Sequence, residues 1–170
     1  LELGGGIGYI SNVINKILKN KNNHIVLEGN ELLINYLEVN KKLNNSCFQI
    51  VNGILSNKEL NTFFVSETFV SSGLHNKSGN SKMTSVKGFN LDVIHENFNI
   101  NFDTLIMDIE GAEYEILLEN KIIKSFKNIF FELHPKILSK SQQDEIYQAL
   151  LSENFYKIDQ SENVEFWKKS

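Results

Sequence analysis

The alternation of apolar and polar positions divides the chain into short βα units. Ile10, Val13, Ile14, Ile17 and Leu18 recur at helical spacing and predict a helix with one apolar stripe. A short run from His24 to Leu27, rich in β-branched residues and ending at Glu28, predicts a strand. Helical period returns through Leu33, Tyr36, Leu37 and Leu43, with Asn30 or Gly29 as N-cap. "CFQIVNGILS" reads as one strand and "NTFFVS" as another. Residues 71–88 then lose their apolar positions to Ser, Gly, Asn and Lys, which predicts a long loop, either a solvated connection or a lid.

Beyond that loop, Thr104 to Met107 predicts a strand. A helix follows through Ala112, Ile116, Leu117, Ile123 and Phe126. "NIFFELHP" is a strand stopped by Pro135, the single proline. Ser141 and Asp144 suggest an acidic capping box for the next helix. "FYKID" and "VEFWKK" close the chain as a ribbon turning at "QSEN". Strands that alternate with helices imply an α/β protein, its sheet mostly parallel, with helices on both faces and an antiparallel member from the closing ribbon. Ligands of such sheets bind beyond the carboxyl ends of the strands, so the polar residues just after each strand carry the functional information.

Composition narrows the picture. The chain has 170 residues, 41% hydrophobic and 22% charged, with a net charge of −4 and a pI near 5.6. One domain over residues 1–170 is expected, beginning inside its first strand and so N-terminally truncated. The acidic balance speaks against nucleic-acid or membrane-surface partners, and no apolar run approaches the roughly 20 residues of a membrane span. The lone Cys47 rules out an internal disulfide, reads as a small buried filler, and suits a cytoplasmic setting.

The first loop, "LELGGGIGYIS", carries the chemistry. Tyr9 stands where a dinucleotide loop beginning at Gly4 would have its third glycine, which argues against a nicotinamide dehydrogenase. No Lys-Ser or Lys-Thr follows, so it is not a triphosphate loop. Glu2, Gly4, Gly6 and Gly8 instead form E-x-G-x-G-x-G, an acid ahead of a close-approach backbone. Glu28 ends the second strand about 20 residues on, where a carboxylate can take both hydroxyls of a ribose. An adenosine ligand with a cationic tail fits this pair, and S-adenosylmethionine is such a ligand.

After the strand Thr104 to Met107, "MDIEGAEYE" sets Asp108, Glu110, Glu113 and Glu115 at a strand end and helix start. Glu115 reads as helix grammar, since acids suit a helix N-terminus. Asp108 and Glu110 could remove a proton or bind a hard cation, and no metal ligand is assigned between those roles. His134, ending the next strand, is the other candidate base, with Glu132 behind it. His24 and His95 read as surface residues, and His75 could cover a substrate from the long loop.

"ELGGGIGYIS", "IVLEGNELLINYLEVN", "FQIVNGILSN", "DTLIMDIEGAEYEILL" and "FFELH" together resemble the FkbM family of S-adenosylmethionine-dependent methyltransferases, in order from Leu1 to about Pro135. "MDIEGAE" stands against a family K-I-D-V-E-G-x-E, with Met107 for the lysine, and Gly5 and Gly6 replace the family's Ala and Asn. The resemblance implies a Rossmann-like class I methyltransferase sheet whose last strand is antiparallel. It implies that Glu2, Gly4, Gly6 and Gly8 line the methionine part of the cofactor, that Glu28 holds the ribose, and that Asn52 and Ile54 meet the adenine edge. It implies methyl transfer to a hydroxyl oxygen of a small molecule, sugar or glycan. The alternative is a methyltransferase-like module retained for partner binding without catalysis.

Overall fold

The computed structural model describes residues 1–66, 72–75 and 81–170. In chain order its elements are β1 (Glu2–Leu3), α1 (Tyr9–Ile17), β2 (Ile25–Glu28), α2 (Glu31–Leu43), β3 (Gln49–Asn52), β4 (Ile54–Leu55), β5 (Leu60–Val65), β6 (Lys82–Phe89), α3 (Leu91–Phe98), β7 (Thr104–Met107), β8 (Asn128–Glu132), α4 (Lys140–Ser152), β9 (Phe155–Ser161) and β10 (Val164–Lys169). Seven strands form one sheet in the order β3-β2-β1-β7-β8-β10-β9. β1, β2, β3, β7 and β8 pair in parallel, and β10 runs antiparallel to both neighbours. Strand order reverses at β1, which lies between β2 and β7, so the carboxyl ends of these three strands open the crevice. β4, β5 and β6 form a second, three-stranded sheet.

One face of the large sheet is dry. Ile25, Leu27, Leu105, Met107, Ile129 and Phe131 alternate inward along their strands and pack on Leu117, Phe126 and Ile146. On the other face, Val26 meets Leu37 and Phe48 in a smaller cluster. Burying side chains of this size stabilises the fold by roughly 1.5–3 kcal/mol each.

Several sequence expectations change here, each for a local reason. The apolar stripe of α1 faces outward: Ile10 is 53% exposed, Val13 47% and Ile17 78%, while Ser11, Asn12 and Asn15 are buried. The cause is Glu2, buried on β1 beneath the helix. Its carboxylate accepts from Ser11 Oγ at 2.7 Å and contacts His24 Nε2 at 2.8 Å, so the helix must turn its polar side inward. His24 is therefore an interior residue, not a surface one, and His95 is half-buried against Phe102. Cys47, by contrast, is exposed at the edge just before β3.

"CFQIVNGILS" is two strands, because Gly53 breaks it and sends β3 and β4 to different sheets. Residues 82–88 of the expected loop lie in β6, paired antiparallel with β5 from Leu60↔Lys87 to Val65↔Lys82. Only Val86 of that strand is buried, so its sequence looks like a loop. Residues 67–71 and 76–80 lie outside the described ones. α3 was absent from the expected order; Asn90 caps it by accepting from Val93 N.

The helix expected from Ala112 to Phe126 is broken. A π-helical turn at Glu115–Glu119 ends where Asn120 N–H and its side chain both donate to the Glu115 carbonyl, and Lys121 takes φ 55°. A short 3₁₀ turn, Ile123–Ser125, completes the segment. The capping box of α4 is Ser139 with Gln142, two residues earlier than the sequence suggests. The closing ribbon turns tightly at Glu162 and Asn163, with Gln160 and Ser161 inside β9. Asn30, as expected, caps α2.

Candidate active site

The loop after β1 is shaped by its glycines. Gly4 (φ 84°) and Gly5 both donate their N–H to the Leu27 carbonyl, at 2.9 and 3.2 Å, which anchors the loop to β2. A side chain at Gly4 would overlap the Asp108 carbonyl oxygen, so the loop and the end of β7 lie in direct contact. At Gly6 (φ 53°) a Cβ would meet no atom within 4 Å. Gly8 (φ 86°) caps α1 against Leu37.

Glu28 is buried at the end of β2. One carboxylate oxygen accepts from Gly6 N at 2.7 Å and the other from Asn30 N at 2.7 Å. Burial raises its pKa, and these two backbone donors oppose the rise. Asn52 donates to the Glu28 carbonyl at 2.9 Å, fixing the backbone between β2 and β3.

A cleft of about 810 Å³, solvent-filled mouth included, opens between these parts. Leu3, Gly4, Gly6, Glu28, Ile54, Asp108 and Glu110 line it, and Phe63 and the Ser72–Leu74 segment close its far side. That segment is tied down: Gly73 exchanges backbone hydrogen bonds with Phe64, and Asn30 Nδ2 donates to Ser72 Oγ at 3.2 Å. His75 follows it and pairs with Glu115 at 3.2 Å. The sequence offered no signal for Phe63 or Ser72 as cleft residues, since both come from the second sheet and its connection. Glu2, Gly8 and Asn52 sit behind the lining, in the supporting contacts already given.

Asp108, Glu110 and His134 converge at the carboxyl ends of β7 and β8. Glu110 takes φ 59°, a left-handed conformation uncommon for a non-glycine residue. His134 Nε2 lies 3.8 Å from Asp108 Oδ1 and 3.5 Å from Glu110 Oε2, and one donor atom from each of the three falls within 4.8 Å of the others. On its other side His134 Nδ1 is 2.8 Å from Glu113 Oε1. The hydrogen bond and charge of Glu113 raise the His134 pKa, against its partial burial. Asp108 is pushed up to about 6 by its place in the walled cleft, then by the Glu132 and Glu110 carboxylates, with His134 opposing. Glu132 thus faces Asp108, and it is Glu113 that stands behind His134.

The donor set suits a cationic adenosine cofactor. Glu28, Asp108 and Glu110 are the ionisable groups of the described lining, which has no lysine or arginine to attract phosphate. The open space at Gly6 leaves the backbone bare for close approach, and Glu28 is held rigid beside it. Sheet order, reversal point and acidic glycine loop together define a class I methyltransferase, a Rossmann-like enzyme fold whose methyl donor is S-adenosylmethionine.

The family follows from the sequence match. The profile described as "Methyltransferase FkbM domain" matches residues 2–158, and the chain belongs to that family. No curated protein matches the sequence. Among solved structures it is similar to PH1948 of Pyrococcus horikoshii, a proposed RNA methyltransferase, at 13% identity and a TM-score of 0.55, covering 99% of this chain and 72% of that one. It is similar to human methyltransferase 10 domain containing protein at 13% identity and 0.54, covering 98% and 68%. It is similar to the ribosomal protein L11 methylase of Lactobacillus delbrueckii subsp. bulgaricus at 11% identity and 0.52, covering 99% and 69%. At these identities the likeness shows the fold. Among the described residues no helix is long and apolar enough to cross a membrane.

Proposed function

We propose that the domain transfers the methyl group of S-adenosylmethionine to a hydroxyl oxygen of a small molecule, sugar or glycan. The observation that carries this reading is the convergence of Asp108, Glu110 and His134 beside the glycine loop. When bound, the cofactor supplies a methyl carbon made electrophilic by its sulfonium, which passes to the acceptor oxygen as the sulfur–carbon electron pair returns to sulfur.

The chain's own residues do the rest. Glu28, pinned by Gly6 and Asn30, presents its remaining lone pairs to the ribose hydroxyls. Gly4 and Gly6 let the cofactor's amino-acid end lie against the backbone, and Ile54 offers an apolar wall for the adenine. An alcohol is a weak nucleophile and must lose its proton as it attacks. The proton goes to the cluster at the strand ends, where Asp108 and Glu110 stabilise the imidazolium formed at His134. The Ser72–Leu74 segment helps keep water from the reacting atoms.

RNA and protein acceptors, for which two of the solved neighbours are named, are the competing substrates. The acidic described lining and the net charge of −4 disfavour a polyphosphate chain. Titration calorimetry with S-adenosylmethionine and S-adenosylhomocysteine tests the donor site, with micromolar binding expected. Release of S-adenosylhomocysteine over a panel of sugars, glycans and RNA tests the acceptor. Absence of cofactor binding at millimolar ligand would overturn the reading, and turnover confined to RNA would overturn the acceptor class.

A further inference from the structure

The geometry points to Glu113 as the positioning residue that makes His134 the proton acceptor of methyl transfer. This rests on the activity proposed above. Glu113 is wholly buried, 0% exposed, yet sits one turn from an acidic cleft. Its Oε1 accepts from the Gly111 N–H at 3.1 Å and lies 2.8 Å from His134 Nδ1. An ionised carboxylate only accepts, so the proton of the neutral imidazole is held on Nδ1. The lone pair is then left on Nε2, which lies between the carboxylates of the cleft residues Asp108 and Glu110 at distances too long for direct hydrogen bonds.

The local fold is built for this. Gly111 takes φ 103° and packs against Ile137, which turns the chain so that Glu113 points back under His134. Glu113 Oε2 has no partner among the described residues, so its burial is not repaid by hydrogen bonds of its own. A carboxylate that merely began a helix would sit in water, where acids near a helix N-terminus are ordinarily found. The groups facing His134 are Asp108 from the end of β7, and Glu110 and Glu113 from the turn after it. Glu132 of β8 acts on Asp108. Of these, Glu113 alone touches Nδ1.

Histidine-selective ¹⁵N NMR across pH reads the tautomer and titration of His134 directly, with a His134→Gln sample to assign the signal among the four histidines. The native protein is expected to carry its neutral-state proton on Nδ1. Glu113→Gln keeps the shape and removes the charge. It should lower the titration midpoint by about one pH unit or more, and move the acid limb of the methyl-transfer rate by the same amount. A proton on Nε2 in the native protein overturns the inference even if the variant fails to fold. So does an unmoved midpoint in folded Glu113→Gln. Methyl transfer with an unmoved midpoint removes Glu113 and leaves the activity standing. The expected NMR shifts without transfer to any acceptor would remove the activity on which the catalytic role depends.

Discussion

Two neighbouring glycines of the first loop should respond to the same substitution in opposite ways. At Gly6 an alanine meets no protein atom within 4 Å, so the fold has room for the methyl group. The cost is the left-handed backbone at φ 53°, about 1 kcal/mol for a residue with a Cβ. For a chain of this size that lowers Tm by roughly 2–4 °C. The methyl group projects where the cofactor is expected, so affinity for S-adenosylhomocysteine should fall by about tenfold or more, equal to 1.4 kcal/mol. At Gly4 the same methyl group overlaps the Asp108 carbonyl oxygen. Relief requires β1 to move from β7, and their pairing is only Glu2↔Ile106 and Leu3↔Met107. Gly4→Ala should cost more than about 3 kcal/mol, beyond the usual overpacking range, or leave no folded protein. Thermal unfolding and calorimetry on both variants provide the check. If Gly6→Ala kept native affinity, the loop would not be the cofactor's cradle and the reasoning would fail.

Glu28→Ala should weaken S-adenosylhomocysteine binding by at least about tenfold, since it removes a hydrogen-bonding carboxyl group and frees the Gly6 and Asn30 donors; calorimetry reads it. Asp108 holds its proton up to about 6 in the folded state against 3.8 ordinarily, so the folded state binds more protons between these values and stability falls as pH rises through them. Asp108→Asn should therefore melt higher than the native protein above pH 6 and the same below 3.8, while losing methyl transfer. Scanning fluorimetry at both pH values would detect the opposite order. Glu165, buried where it accepts from Tyr147, Lys157 and Trp167, should cost about 3 kcal/mol when changed to Ala. A denaturant midpoint near the native value would show that cluster to be dispensable.

Local chemistry was legible wherever a residue's role depends on its immediate neighbours. The strands of the parallel sheet, the acids at the ends of β2, β7 and β8 and the glycine loop follow from period and spacing, because strand ends place their next residues at the crevice whatever the rest of the chain does. The resemblance carried by these motifs gave the family and the fold, and their place at strand ends named Asp108, Glu110 and His134 as candidates. Roles that depend on a distant partner were not legible. The apolar stripe of α1 promised a buried face, and only the burial of Glu2 on another element reversed it. β6 is polar almost throughout, so its strand exists by pairing with β5 and not by its own pattern. Glu113 looked like one more acid at a helix start. Only the fold of the turn at Gly111, which buries that carboxylate against His134, distinguishes it from Glu115. Sequence by itself put Gly4, Gly6, Glu28, Asp108 and Glu110 at the crevice, but not Phe63 or Ser72. Tertiary structure decided which of them face one another, because burial and pairing are set by contacts between segments far apart in the chain.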